Sequence, residues 1–311
     1  MAAYSPFRKF DLNKFHSVDE PLFFKNDLIE SEKNFEIVYK SIKDKTPFNV
    51  VTGIRPDVRM HLGYKFLANI INYFSRKGGS IYLINPKNEK ILFGEAVTDK
   101  SLESTPLYNL LKYKDKLNIR IDSLGKDTNQ LMLQIGSYYD IKTLMNKFNL
   151  TVSDSISKLL GLLYATSSYF IPNLERKTNY PTLVIGNKAH SSLILLANDF
   201  AKKSRLEKIS SLFVKFIPGK DGSVKMSVSR ESSNIYLDEN IGISFNESLT
   251  IKDSNEIVKS QYKMNPKICT AMGIGSFFTP FKEINSLTHK CIKGNDCGSC
   301  KKVLLEYILK E

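Results

Sequence analysis

The chain has 311 residues, of which 42% are hydrophobic and 25% are charged, as is ordinary for a globular protein. Lysine and arginine number 45 against 32 acidic residues, so the formal net charge is +13, which disfavours polycationic partners and fits a polyanion such as nucleic acid. No run of about 18 apolar residues and no signal-peptide core is present, so we expect a cytoplasmic protein without a membrane segment. Tryptophan is absent, which we attribute to compositional bias.

Short apolar strands alternate with amphipathic helices along much of the chain. The predicted strands are residues 48–53, 80–85, 181–186 and 211–216, and the predicted helices are residues 62–74, 129–148, 153–169 and 191–203. One or two peripheral helices are also predicted between Leu28 and Ile42, whereas residues 87–128 show no clear pattern. The alternation indicates an α/β fold with a Rossmann-type parallel sheet.

The pattern changes near residue 230, after which the strand signals fade into short helices and loops. We therefore predict three parts. They are a peripheral N-terminal segment (residues 1–45), a Rossmann-type nucleotide-binding domain (46–230) and a small α-helical domain (231–311).

The first candidate motif lies where the first predicted strand meets its helix. It reads Thr52-Gly53-Ile54-Arg55-Pro56-Asp57-Val58-Arg59-Met60-His61-Leu62-Gly63-Tyr64. Ligands of open parallel sheets bind at the carboxyl ends of strands, and a helix that begins there offers free N–H groups to phosphate. His61 can donate to a phosphate, and Gly63 lets a ribose or ring approach the backbone. Alone, His61 could equally be a helix-start histidine without a chemical role.

The second candidate motif follows the last predicted strand. It is the Gly-rich segment Gly219-Lys220-Asp221-Gly222-Ser223-Val224-Lys225-Met226-Ser227-Val228-Ser229. Lys225 is suited to stabilise charge on transferring phosphate oxygens, although alone it could be a solvated loop residue. Both motifs stand at strand ends, about 160 residues apart, and this joint occurrence favours a nucleotide site.

Together the motifs resemble the HIGH and KMSKS signatures of class I aminoacyl-tRNA synthetases, written here as His61-Leu62-Gly63-Tyr64 and Lys225-Met226-Ser227-Val228-Ser229. The stretch from Pro47 to Gly63 is similar to tryptophanyl-tRNA synthetases of the archaeal and eukaryotic type. The resemblance covers about residues 35–306 and is thin between residues 90 and 140.

The resemblance implies an aminoacyl-tRNA ligase that forms an aminoacyl-adenylate from ATP and an amino acid, with tryptophan the first choice, and passes the aminoacyl group to tRNA. Mg²⁺ would accompany ATP, and the protein would be a homodimer. The implied catalytic residues are His61, which would hold the ATP phosphates, and Lys225, which would stabilise the α-phosphate and the leaving pyrophosphate. The implied ATP-binding residues are Thr52, Gly53, His61, Gly63, Tyr64, Gly186, Lys225, Met226, Ser227 and Ser229.

The sequence departs from this family in the first motif and after Gly186. Tyr64 replaces the second histidine of the HIGH element, Val58 replaces a small glycine, and Asn187-Lys188-Ala189-His190 replaces an Asp-Gln pair that faces the amino acid. Because a pocket that reads an indole needs polar partners, we expect the ATP half of the site to be kept better than the amino-acid half. The alternatives are activation of another amino acid, modification of something other than tRNA, and a paralogue without aminoacylation that binds RNA or a protein.

The four cysteines stand in the pattern Cys269-x21-Cys291-x5-Cys297-x2-Cys300, with His289 nearby. Such a cluster indicates a metal site, and thiolates suit either zinc or an iron–sulfur cluster. Some synthetases of the family carry a [4Fe–4S] cluster on C-x22-C-x6-C-x2-C, so the resemblance favours [4Fe–4S], with zinc as the alternative. The alternative to a metal site is four free thiols in a reducing compartment.

Two basic surfaces are candidates for contact with tRNA. One comprises Lys202, Lys203, Arg205 and Lys208, which form either a solvated helix face or a contact with the acceptor stem. The other comprises the lysines around the cysteines. The chain runs only eleven residues past Cys300, which predicts a shortened anticodon-binding region.

Overall fold

The computed structural model describes residues 7–15, 20–96, 100–121, 126–248, 269–293 and 297–310. Its strands are β1 (Ile29–Lys33), β2 (Phe48–Gly53), β3 (Gly79–Asn85), β4 (Leu117–Ile121), β5 (Thr182–Gly186) and β6 (Ile209–Val214). They form one sheet in the order β1-β6-β5-β2-β3-β4. β1 is antiparallel to β6 and the other pairs are parallel, so the predicted parallel α/β sheet is confirmed.

The helices that flank the sheet are α1 (Leu22–Lys25), α2 (Phe35–Asp44), α3 (Leu62–Arg76), α4 (Lys87–Leu92), α5 (Pro106–Leu110), α6 (Lys126–Ser137), α7 (Ile141–Phe148), α8 (Ile156–Ser168), α9 (Ile171–Arg176) and α10 (Ser191–Ser204). Four helices follow the sheet: α11 (Ile241–Asn246), α12 (Thr270–Gly275), α13 (Phe281–Ile292) and α14 (Cys297–Leu309). Within the described ranges, none of these helices has the length and apolar content that crossing a bilayer requires.

Alternation along the buried strands divides the core into two layers. Ile81 and Leu83 of β3 join a cluster that also contains residues of α3 and of the C-terminal helices. Tyr82 and Ile84 point to the opposite face and pack with residues of α6, α8 and α10. The period of two that made these segments readable as strands therefore places helices on both faces of the sheet.

Two strands were not predicted. Residues 29–33 lie in the segment predicted to be helical, and that prediction is wrong for β1, although α2 begins soon afterwards at Phe35. The sequence of β1, IESEK, is mostly charged, because an edge strand can pair its carboxylates instead of burying apolar side chains. Glu32 illustrates this, since Arg8 approaches one of its carboxylate oxygens at 2.7 Å. β4 falls in residues 87–128, where no element could be assigned.

The C-terminal helices share a core with the sheet domain. Leu304 and Ile308 of α14 belong to the same buried cluster as the residues of α3. Phe66 of α3 meets Phe277 edge to face, with ring centroids 4.9 Å apart. The Asn26 side chain donates to the carbonyl oxygens of Ser276 and Thr279, at 2.7 Å each. The helix that starts at the first motif is thus anchored by the C-terminal region.

Candidate active site

A cavity of about 420 Å³ opens at the carboxyl ends of β2 and β5. From β2 the chain continues to β3 on one side of this pair, and from β5 it continues to β6 on the other side. The cavity therefore lies at the topological switch point, where open α/β sheets bind ligands. The residues predicted for ATP binding that line it are Thr52, Gly53, His61, Gly63, Tyr64, Gly186 and Met226. Lys225, Ser227 and Ser229 do not line it but lie on the adjoining loop after β6.

His61 is the N-cap residue of α3, and its Nδ1 accepts a hydrogen bond from the N–H of Gly63 at 3.1 Å. An Nδ1 that accepts leaves the ring proton on Nε2. Burial lowers the pKa of His61 to about 4, so the imidazole is neutral at physiological pH. His61 is therefore placed to offer an Nε2–H donor to a ligand rather than a positive charge.

Gly63 and Tyr64 fix the surroundings of this imidazole. A Cβ on Gly63 would come within 2.7 Å of Cε1 of His61, so a glycine is needed for the ring to hold its position. The Tyr64 ring lies 5.3 Å from the His61 ring, and burial raises the pKa of Tyr64 to about 12. The residue in place of the second family histidine is therefore a neutral phenol in the cavity wall.

The segment after β5 folds into a capped turn instead of presenting charges to the cavity. The side chain of Asn187 accepts from the N–H of Ala189 at 2.9 Å, and Asn187 N–H approaches Nδ1 of His190 at 3.4 Å. Lys188 reaches away to Glu30, at 3.6 Å. Asn187 and His190 still line the cavity, and desolvation lowers the pKa of His190, so both present neutral groups.

The wall near this turn is mostly apolar. Val51 and Ile84 come from the strands, and Ala165 and Leu193 come from α8 and α10. Tyr169 is a buried phenol in this wall, and burial together with the charge of Glu89 raises its pKa. This end of the cavity can enclose a large apolar group.

Asn234 fixes the loop after β6 by hydrogen bonds to the backbone of that loop. Its Oδ1 accepts from Ser227 N–H at 2.9 Å and its Nδ2 donates to the Ser227 carbonyl at 2.8 Å, so one buried amide holds both backbone polar groups of one residue. The hydroxyls of Ser227 and Ser229 are 3.0 Å apart. Lys225 Nζ lies 4.9 Å from the ring centroid of Phe216, a cavity residue, which places the ammonium at the cavity's edge.

The two sequence motifs are joined by backbone hydrogen bonds. Leu62 N–H donates to the Ile235 carbonyl at 3.0 Å, and Leu237 N–H donates to the Met60 carbonyl at 2.8 Å. Arg59 covers this bridge. Its guanidinium lies 4.0 Å from the ring centroid of Tyr236 and hydrogen-bonds Asp238 and Glu239, at 3.0 and 2.7 Å. The segment beyond the second motif thereby fixes the helix start of the first.

A charged network ties the first-motif loop to α4. The Asp57 carboxylate forms ion pairs with the Lys90 ammonium at 2.6 Å and with the Arg55 guanidinium at 3.2 Å. Arg55 also forms an ion pair with Glu95 at 3.3 Å. The Lys90 side chain is only 5% exposed. Burial alone would raise the pKa of Asp57, but the hydrogen bonds from Lys90 and Arg55 outweigh it and hold that pKa below its usual range. Nε of Arg55 is a buried donor for which the described residues supply no acceptor, and Arg55 lines the cavity.

All four cysteines line a second cavity of about 150 Å³, between α12, α13 and α14. Burial, together with the neighbouring thiols of Cys269, Cys291 and Cys297, raises the pKa of Cys300 to about 12. In the described part of the chain, no three Cys, His, Asp or Glu side chains stand in a metal-binding arrangement. The four cysteines that the spacing grouped together therefore line one cavity. Their described positions do not form a set of metal ligands.

Several residues that shape the site were not predicted. Asn234, Asp57 and Lys90 act through tertiary contacts that single-sequence spacing does not reveal. The sequence did indicate that Asp57 and Arg59 have polar partners, because charged residues inside a Pro-containing active-site loop need them. Which partners they take depends on how α4 and the segment after the second motif pack.

No protein-family model matches the sequence. The tryptophan–tRNA ligase of Methanocaldococcus jannaschii is 22% identical over 316 residues, covering 94% of this chain and 84% of that relative. That of Pyrobaculum arsenaticum is 25% identical, covering 96% and 83%. The tryptophanyl-tRNA synthetase structure from Aeropyrum pernix K1 matches with a TM-score of 0.80 at 17% identity, covering 93% of this chain and 83% of its own. The chain is thus similar in sequence to archaeal tryptophan–tRNA ligases and has the fold of tryptophanyl-tRNA synthetases.

A second solved tryptophanyl-tRNA synthetase, from Encephalitozoon cuniculi and bound to tryptophan, matches with a TM-score of 0.75 at 18% identity. The match covers 97% of this chain and 88% of that one. The synthetase-like fold thus includes both the sheet and the helices that follow it, while the low identity leaves the cavity lining free to differ.

Proposed function

We propose that the protein activates an amino acid with ATP and transfers it to tRNA, with tryptophan as the first-choice substrate. The observation that carries this proposal is the cavity at the switch point. There the start of α3, the end of β5 and Met226 of the second motif converge. The curated relatives named tryptophan–tRNA ligase support the same chemistry.

His61 and Arg55 would hold the ATP phosphates. His61 offers Nε2–H as a neutral donor beside the N-terminus of α3, and the Arg55 side chain lines the same cavity. Phosphate oxygens would accept hydrogen bonds from both side chains. The helix N-terminus adds partial positive charge without a titrating group, so binding would not depend on His61 protonation.

Lys225 would stabilise the charge that develops on the α-phosphate and on the leaving pyrophosphate. Its ammonium rests over Phe216 at the cavity's edge. Ser227 and Ser229 would then contact ATP from the loop that Asn234 brackets, with Mg²⁺ bound to the nucleotide oxygens. Positioning and electrostatics suffice for such a step, and an acid–base pair is not required.

ATP–pyrophosphate exchange with each of the twenty amino acids tests this proposal. The expected result is exchange that depends on one amino acid, and the apolar wall around Val51, Ile84 and Leu193 favours tryptophan or another large apolar side chain. Charging of total tRNA with that amino acid follows as the second step. An absence of exchange with all twenty would refute the activation step.

A second candidate is a paralogue that binds RNA or protein without charging tRNA. The observation in its favour is the turn at 187–190, where Asn187 and His190 bond within the turn. In that case the protein would bind tRNA in a filter assay but would catalyse no exchange.

The four cysteines are proposed to hold a [4Fe–4S] cluster, with zinc as the alternative. The support is that all four line one cavity, together with the soft thiol donors that both groups prefer. The group would cross-link α12, α13 and α14 and would stabilise the helical region. Iron and acid-labile sulfide are measured on protein purified without oxygen, with Cys300→Ser as the comparison. One zinc per chain and no iron would overturn the cluster assignment.

The chain is proposed to divide into the parts 1–45, 46–230 and 231–311.

A homodimer is proposed as the assembly in solution. Exposed apolar side chains lie on α6–α8 and the loop before α8, among them Leu133, Ile141, Val152 and Ile156. Val152 is 97% exposed, which favours a surface that another chain covers. Light scattering coupled to gel filtration measures the mass directly, and the monomer mass at micromolar concentration would contradict the dimer.

A further inference from the structure

The starts of the five parallel strands carry much of the excess positive charge of the chain. Phe48 lies opposite Gly79 and Thr182 opposite Ile209, so the segments before these strands share one edge of the sheet, here called the strand-start edge. The segments are 43–47, 75–78, 112–116, 175–181 and 202–208. They hold thirteen lysines and arginines against four carboxylates, an excess of nine out of the net +13.

A cleft of about 840 Å³, here called the strand-start groove, opens in this edge between β2, β3 and β5. No described carboxylate lines it, and Asp44 beside it is held by Lys40 at 2.7 Å. Its cationic and aromatic lining residues are Tyr39, Lys43, Lys45, Arg76, Lys77, Arg176 and Tyr180. Its volume is that of a ligand-binding cleft.

Two of the cations are held in place by their neighbours. Arg176 donates to Ser80 Oγ at 2.8 Å, and its guanidinium lies 5.5 Å from the Tyr82 ring centroid. Arg76 lies 6.0 Å from the Tyr73 ring centroid. Such positioning lowers the side-chain entropy that a ligand must remove on binding.

The groove lies at the end of the sheet opposite the candidate active site. β2 spans Phe48–Gly53, and at about 3.3 Å per residue this places roughly 20 Å between the groove and the cavity. α10 runs from Ser191 at the cavity end to Ser204 at the strand-start edge. The basic group from Lys202 to Lys208 therefore lies at this edge and not beside the cavity, which argues against its predicted contact with an acceptor stem inserted there.

We propose that the strand-start groove binds the sugar–phosphate backbone of single-stranded nucleic acid. Lysine and arginine neutralise phosphates, and interleaved aromatic rings accept bases without reading their sequence. A membrane surface is the less suitable partner, since the cations line a concave cleft and not the polar face of an amphipathic helix. The site would act independently of the chemistry in the cavity.

The test uses the full chain and a fluorescein-labelled, 20-nucleotide RNA of mixed sequence. The triple variant Lys43→Gln, Arg76→Gln, Arg176→Gln is compared with a control that loses three exposed lysines elsewhere, Lys9→Gln, Lys142→Gln and Lys282→Gln. We expect the groove variant to weaken binding about tenfold or more and to lower the slope of log K against log salt by about 2. The control should change the affinity less than twofold.

Equal losses in both triple variants would overturn the proposal, because net charge alone would then explain binding. The proposal would also be overturned, in favour of a membrane, if the groove variant lost binding to vesicles of phosphatidylcholine and phosphatidylserine while its RNA binding was unchanged. Thermal melting establishes that each variant is folded. If the triple variant unfolds, Lys43→Gln with Lys45→Gln replaces it, since both side chains are exposed, and the expected slope change is about 1.4.

Discussion

His61 owes its chemical state to burial more than to any charged neighbour. Because its folded pKa of about 4 lies below the ordinary value of 6.5, the imidazole contributes stability fully above pH 6.5 and loses it as the pH falls towards 4. Its role as a phosphate donor would therefore be constant over the neutral range. What sets its orientation is the hydrogen bond from Gly63, and that bond exists because residue 63 has no Cβ.

Gly63→Ala should weaken ATP binding about tenfold or more, because the new methyl group displaces the imidazole and removes a hydrogen bond to a charged ligand. The measurement is calorimetric titration with ATP. The matched control is Gly136→Ala on α6, where a Cβ would meet only Leu163 Cδ1 at 3.4 Å. Equal affinity in both variants would show that His61 does not hold the nucleotide.

Asn234→Asp should lower the turnover number for adenylate formation about 100-fold, since the carboxylate cannot donate to the Ser227 carbonyl and repels it. Pyrophosphate exchange measures the effect, with the KM for the amino acid little changed. Asn240→Asp is the control, because Asn240 accepts from Ile243 N–H as a helix cap, which an aspartate also does. A turnover number like that of the control would remove Asn234 from the site.

At the scale of elements, the active-site loop is held by α4 on one side and by the segment Ile235–Leu237 on the other. Lys90 is the least exposed member of the first contact, and its ammonium is compensated by Asp57 at 2.6 Å. The second contact uses backbone bonds under Arg59. The loop between β2 and α3 thus has its position set by elements that come much later in the chain.

Asp57→Ala should destabilise the fold by about 3 kcal/mol, because it leaves the buried ammonium of Lys90 without its partner. The double variant Asp57→Ala, Lys90→Met should recover much of this loss in urea denaturation. Since the folded pKa of Asp57 is depressed, its contribution is present above the ordinary carboxyl pKa and is lost as the pH falls through the folded value. A single variant as stable as the parent at pH 7 would contradict the pairing.

At the scale of the molecule, one buried cluster runs from Phe10 to Ile308. The helical region is thus not an appendage, even though the sequence pattern changes near residue 230. Asn26 bonds to the turn after α12, and α3 carries the candidate site at one end and Phe66 on its packed face. The C-terminal helices therefore contribute to how firmly α3 is held.

Hydrogen exchange in increasing urea should show β2 and α14 opening together, as expected for a shared core. Asn26→Ala, which removes two hydrogen bonds, should lower the opening free energy of both by the same amount, about 2 kcal/mol. Earlier opening of α14 alone would show that the helical region is an independent unit.

The parts of the fold that sequence could predict are those where burial dictates residue type. β2, β3, β5 and β6 are apolar runs between turns, and their alternation fixed both faces of the sheet. β1 escaped prediction because its charged side chains are paired at an edge. For the site, strand-end position and residue chemistry pointed to His61 and Gly63, and the resemblance of the second motif to a family signature pointed to Met226. Asn234 and the Asp57–Lys90 pair hold the site in place through packing between distant segments. Such contacts produce no periodic pattern in the sequence.

The tyrosines in the cavity wall give the protein a built-in optical assay. The chain contains no tryptophan, whereas Tyr64 and Tyr169 line the cavity. A tryptophan substrate would thus be the sole indole in the complex. Excitation energy absorbed by the tyrosine phenols would be transferred to this indole and would appear as indole emission. Tyrosine emission should fall while indole emission rises as the substrate is titrated. A substrate without an indole would leave the tyrosine spectrum without that acceptor band, so fluorescence alone distinguishes an indole in the cavity from any other side chain.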